Sequence, residues 1–254
     1  MSIVKTYNHL DAHGGHKAAY SPDDVWKGPR IGYFRNEKQT IYSAFDFYNL
    51  FSLPQLSTTT FFSFKDSNPN ALSEEQWHKD HPPTGVYNVE PHPLKDLVSF
   101  VVIFENAHPA WEEDKEIWVH SKVDIFLKDH DGDKKNFDRP LPVFLGNRSK
   151  LGKFVFEGWM TMELAEIVPP NSKELMRMLQ AKQDFKSYQP HGRTSEKWKE
   201  SLAFQWIKLK FTPTDETYKS PAKMGKGEAA RYSLKIGGLE EELEIFKKLE
   251  KEGK

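Results

Sequence analysis

The 254-residue chain contains no cysteine. That absence removes disulfides, thiolate-ligated zinc, iron–sulfur clusters and thiol nucleophiles at once, and it fits a reducing compartment. An excess of charge is also missing: 36 Lys and Arg stand against 37 Asp and Glu, a net charge of −1. No global field therefore draws the chain to nucleic acid or to an anionic membrane, which leaves only a local basic patch to do so. The opening residues, MSIVKTYNHLDAHGGHK, form no apolar leader. No stretch approaches the roughly 20 apolar residues of a membrane span. The expectation is a soluble intracellular protein, cytoplasmic or nuclear, with no membrane partner.

Aromatic residues, by contrast, are plentiful, with 18 Phe, 9 Tyr and 7 Trp. Such rings either fill a β-rich core or form a surface platform for a base, a sugar or a methylated amine. The clearest β signal lies in residues 153–168. Phe154, Phe156, Gly158, Met160, Met162 and Leu164 alternate with mixed residues, the period of a long strand with one face on a core. Gly158 in its interior predicts a bulge or a close backbone approach.

Residues 98–105, VSFVVIFE, read as a strand buried on both faces. Strands are also expected near 58–64, 117–127, 141–145 and 202–211, with a shorter one at 31–34. A hairpin through residues 146–152 would join the 141–145 strand to the long one. Residues 41–51 suit a helix whose apolar side is Ile41, Ala44, Phe45, Tyr48 and Phe51. Capping boxes at Ser73 and at Asn171/Glu174 predict two further helices, the second carrying Leu175, Met178, Leu179 and Lys182 or Phe185 on one side. A short helix is expected from Ser195 through Trp198.

This pattern predicts an α+β fold: a curved antiparallel or mixed sheet, able to close into a barrel, with a few packed peripheral helices. Three regions are expected. Residues 1–28 form a flexible N-terminal arm, 29–212 a single α+β domain, and 213–254 a basic linker with an amphipathic C-terminal helix. In that helix Leu239, Leu243, Phe246 and Leu249 recur at helical spacing, a stripe suited either to docking on the domain or to a partner.

Several clusters carry possible chemistry. His78 and Asp80 have the His-x-Asp form of a facial triad, which His120 or His191 would complete for a metal ion, with Arg193 placed to hold a carboxylate co-substrate. His9, Asp11, His13 and His16 are competent ligands in a polar arm. Asp129, Asp131 and Asp133 alternate like the start of a calcium loop, but Gly132 stands at position four and Pro140 where a bidentate Glu is needed. On a 117–127 strand His120, Lys122 and Asp124 would share one face, and His120 with Asp124 could then act as an acid–base pair. Residues 146–154, GNRSKLGKF, miss the spacing of a phosphate-binding loop.

None of these patterns fixes a reaction or a cofactor. The expected function is accordingly a non-catalytic binding or adaptor module. It would recognise a protein or nucleic-acid partner through aromatic and basic side chains, with Lys208, Lys210, Lys223, Lys226, Leu243 and Phe246 as contact residues. The alternatives are a metal-dependent enzyme using His78, Asp80 and His191, or a metal-free one using His120 and Asp124. If the C-terminal tail only binds a partner, truncation after Phe211 leaves the melting temperature unchanged.

Overall fold

The computed structural model describes residues 40–51, 59–64, 94, 96–104, 107–131, 135–146, 153–186, 194–214 and 217–252. Among these are seven strands and seven α-helices, and the chain is α+β with a curved sheet, as its alternation patterns predict. The strands are β1 Ile41–Tyr42, β2 Phe61–Ser63, β3 Val98–Phe104, β4 Glu116–Val119, β5 Leu141–Gly146, β6 Phe154–Val168 and β7 Trp206–Pro213. The helices are α1 Ala44–Phe51, α2 Trp111–Asp114, α3 Val123–Asp131, α4 Lys173–Lys186, α5 Ser195–Leu202, α6 Glu228–Ile236 and α7 Glu240–Glu252. The strand order is β2-β3-β5-β6-β7-β4, and β1 also pairs with β6. The β1–β6, β2–β3, β4–β7 and β5–β6 pairings are antiparallel.

Strand β6 is the long element that its alternation predicts, and the bulge falls where Gly158 announced it. Val143 lies opposite Gly158 while the next residue, Phe144, lies opposite Phe156, so Glu157 is the extra residue. Gly158 takes φ +146°, a conformation that costs glycine little and strains any other residue. The bulge also breaks the alternation: Val155 and Trp159 are buried alongside Phe154, Met160 and Met162. Strand β3 is buried along its whole length, as expected of an apolar run without alternation.

The expected 41–51 helix starts only at Ala44, Ile41–Tyr42 being β1, and the expected 202–211 strand only at Trp206, because α5 runs to Leu202. Two further local expectations need correction. Residues 117–127 are not one strand: β4 stops at Val119, Lys122 adopts φ +58°, and α3 begins at Val123. Buried Val123 and Phe126 stand three apart, which is helical spacing. Helix α3 runs to Asp131, so Asp129 and Asp131 belong to its last turns and not to a loop. The second correction concerns the cap of α4. Ser172 Oγ accepts the Leu175 N–H at 3.1 Å, while Asn171 sits at φ +55° outside the helix.

The residues group into two units. The first takes Phe104–Asp133 and Met162–Thr212, and the second takes Phe34–Ile103, Lys134–Thr161 and Pro213–Lys254, in each case so far as described. The core of the first unit joins Trp118, Val168, Leu175, Met178, Leu179, Trp198 and Trp206. Beside it Lys182 is buried, donating to the carbonyls of Ala107 (2.7 Å) and Trp118 (3.3 Å) with its ammonium over the Trp118 and Trp206 rings. Its place on the inner side of α4 is the one read from sequence, and carbonyl and ring contacts offset the cost of burying the charge.

The second unit is built on phenylalanine. Phe47 of α1 meets Phe51, Phe100, Phe144 and Phe154 with ring centroids 4.7–5.9 Å apart. A polar clamp lies within the same unit. Asn136 accepts the Val98 N–H (2.7 Å) and donates to the Asp96 carbonyl (2.8 Å), and the Arg139 guanidinium donates to the carbonyls of Val98 and Lys135. Helix α7 docks in this unit by its apolar stripe: Leu243, Phe246 and Leu249 are buried, and Phe246 packs edge-on against Phe64. The docking alternative for this helix is therefore the one realised.

Candidate binding surface

The sequence of α1 offers two apolar sets, and the helix can bury only one. Phe47, Leu50 and Phe51, at spacings of three and four, face the core. The side expected to be buried, which includes Phe45 and Tyr48, faces outward instead. Phe45 is 69% exposed and Tyr48 38%, and Ile41 on neighbouring β1 is 53% exposed. These are three of the five large apolar side chains exposed among the described residues, the others being Ile167 and Phe204. Phe45 and Tyr48 stack with centroids 6.3 Å apart and planes 26° from parallel.

Helix α1 starts cleanly at this surface. Asp46 accepts from the Ser43 N–H (2.6 Å) and hydroxyl (2.7 Å), and the Asp46 N–H donates back to Ser43 Oγ (3.4 Å). This reciprocal cap satisfies orphan donors and engages the one carboxylate of the helix.

The segment from Lys219 to Gly227 runs along β1 and α1. The buried Tyr42 hydroxyl approaches Ser220 and the Ala222 backbone without closing a well-aligned hydrogen bond, and burial pushes its phenol above the ordinary range. At the far end the Gly227 N–H donates to the Asn49 carbonyl at 2.7 Å. Gly227 has φ +67°, a left-handed conformation that strains any other residue, so the register of this contact depends on glycine. Pro221 starts a 3-10 turn that presents Lys223 outward. Lys226 then places its ammonium 5.6 Å from the centroid of the Tyr48 ring, within cation–π range. Lys219, Lys223 and Lys226 are all exposed.

The basic stretch read from sequence is thus divided. Lys226 lies over the exposed Tyr48 ring, and Lys223 is exposed on the same segment. Lys208, on β7 of the first unit, is held between Glu166 and Glu174 at 2.7 Å each. Burial works against its charge, but the two carboxylates outweigh burial and hold its pKa above the ordinary lysine value. Lys210 is exposed and stands opposite Glu116 in the β4–β7 pairing. Leu243 and Phe246 are core residues, so a partner reaches them only if α7 undocks.

His120 and Asp124 are not brought together on one strand face. His120 follows the end of β4, and Asp124 is exposed in the first turn of α3. His120 instead stacks against exposed Phe204 (5.4 Å, 18°) and meets Trp206 at a tilt (4.6 Å, 44°). His78, Asp80, His191, Arg193 and the His9, Asp11, His13 and His16 group lie outside the described residues, as do the 1–28 arm, the 31–34 strand and the Ser73 helix. Among the described residues no cluster of three or more His, Asp or Glu is placed to hold a metal ion, and no helix is long and apolar enough to cross a membrane.

Sequence reading missed Phe45 and Tyr48 as surface residues. The available signal was the surplus itself: a two-turn helix with two apolar sides must leave one of them uncovered or give it a partner. No family model, curated protein or solved structure matches the chain.

Proposed function

We infer that the chain is a binding module whose contact surface is the outer side of α1 together with the Lys219–Gly227 segment. The observation that supports this reading is the stacked, exposed pair Phe45 and Tyr48 with Lys226 above the second ring. Exposed aromatic rings cost solubility, and grouped with cations they suit recognition of a partner with both apolar and anionic parts. In this reading Lys223 and Lys226 are contact residues, while Lys208 is engaged by Glu166 and Glu174.

The test is capture from cell extract on immobilised wild-type chain and on the Phe45→Ala/Tyr48→Ala double variant, with circular dichroism confirming that both are folded. Protein or nucleic acid retained by the wild type and lost from the variant is the expected result. Equal retention on both overturns this choice of surface.

A further inference from the structure

We propose that the occupant of this surface is a single-stranded nucleic acid, a proposal that rests on the binding reading above and names its ligand. The two rings lie nearly parallel with Lys226 over Tyr48, which leaves Phe45, the more exposed, open to stacking by a base. Base–aromatic stacking is tolerant of sequence because every base has a π-face, and only an unpaired strand offers those faces.

Charge complements the rings. Lys219, Lys223 and Lys226 recur at spacings of four and three along a segment fixed beside α1 by the Gly227–Asn49 hydrogen bond. Lys226 lies over Tyr48 and the other two are exposed on the same segment, a combination suited to tracking a phosphate backbone while bases lie on rings. Three acidic side chains lie at the same place, each engaged locally, Glu250 by Arg231. Asp46 caps Ser43, and Glu228 accepts the Gly225 N–H at 2.8 Å. Arg231, which could otherwise read a base edge, is held by Glu250 (2.6 Å) and the Lys226 carbonyl (2.9 Å). Recognition is therefore by stacking and phosphate contact, with little base preference. An acidic peptide would satisfy the lysines but leave the open face of Phe45 uncovered, so that ring favours nucleic acid.

Fluorescence anisotropy with the full chain and labelled oligo(dT) and oligo(rU) tests this, the two oligonucleotides distinguishing DNA from RNA. With three phosphate contacts the logarithmic salt slope is about −2. Phe45→Ala and Tyr48→Ala each weaken binding at least about fivefold. Tyr48→Phe retains affinity, and Phe204→Ala, an exposed ring of the other unit, leaves it unchanged. Binding of both oligonucleotides that ignores Phe45→Ala and Tyr48→Ala overturns the proposal, because it is then charge alone. Equal affinity for the matching duplex overturns it too. Binding of an oligo-glutamate peptide but of neither oligonucleotide overturns the nucleic-acid assignment. If extract capture still fails on Phe45→Ala/Tyr48→Ala in that case, the surface itself stands and only its ligand was wrong.

Discussion

The two sides of α1 are equally aromatic and serve opposite ends. Phe47 and Phe51 face inward and are fully buried among Phe100, Phe144 and Phe154, whereas Phe45 and Tyr48, two and three residues away from them, stand in solvent. Residue type does not separate the two pairs. Their angle around the helix does, since burying one apolar stripe turns the other outward. Two lysines teach the same lesson. Lys208 is enclosed by Glu166 and Glu174, while Lys226 points over an exposed ring. Neither composition nor the basic run in sequence distinguishes a structural cation from one offered to a ligand.

The largest effect that would break this comparison concerns the C-terminal region. Truncation after Phe211 removes buried Leu234, Leu243, Phe246 and Leu249 together with the Lys135–Glu242 and Arg231–Glu250 pairs. We expect a loss of roughly 5 kcal/mol or more, seen as a fall of about 10–20 °C in thermal melting. An unchanged melt would return α7 to the role of a free partner-binding helix, as its sequence alone allowed.

Next comes the helix itself. Phe47→Ala should cost about 3–5 kcal/mol in urea unfolding, whereas Phe45→Ala should stay within about 0.5 kcal/mol of wild type. Similar costs at the two positions would mean that the outer ring belongs to the fold.

The lysines give a smaller contrast. Lys208→Ala leaves two carboxylates facing each other and should cost about 1–2 kcal/mol, against almost nothing for Lys226→Ala. Because the folded pKa of Lys208 is raised, its contribution is complete below the ordinary lysine value of 10.5 and fades as pH rises through the folded one. Stability of the wild type and of Lys208→Ala should therefore converge in strong alkali.

Glu242 supplies the smallest effect, at the acid end. Burial raises its pKa, but the 2.7 Å bond from Lys135 and the nearby Arg139 charge outweigh burial and leave it lowered. Its contribution is present above the ordinary glutamate value and is lost as pH falls through the lowered folded one. Glu242→Gln should cost about 1 kcal/mol at neutral pH, the gap narrowing below about pH 4.3 in urea titrations. A constant gap would show that the carboxylate's charge is not what matters.

Legibility followed the range of the interactions. Strands β3 and β6 were readable because their patterns are local, one a continuous apolar run and one an alternation interrupted by Gly158. The turn at Lys122 was not, because no glycine marks its positive φ and the β-like residues on either side run together. The outward side of α1 could not be chosen from its own sequence, since Phe100, Phe144 and Phe154, which select the inward side, come from distant strands. For the same reason Lys226 was recognisable as basic, but only the folded chain places it over Tyr48. His120 and Asp124 failed together because their pairing required a strand that ends at Val119.

The most direct test of the account is where a nucleic acid touches the chain. An oligonucleotide carrying 4-thiouridine, bound to the full-length protein and cross-linked by ultraviolet light, can be mapped by mass spectrometry of the adducted peptides. Adducts at Phe45 or Tyr48, or on the peptide bearing Lys223 and Lys226, are the result predicted here. Adducts confined to the first unit, around Phe204 or Lys210, or none at saturating oligonucleotide, would contradict it.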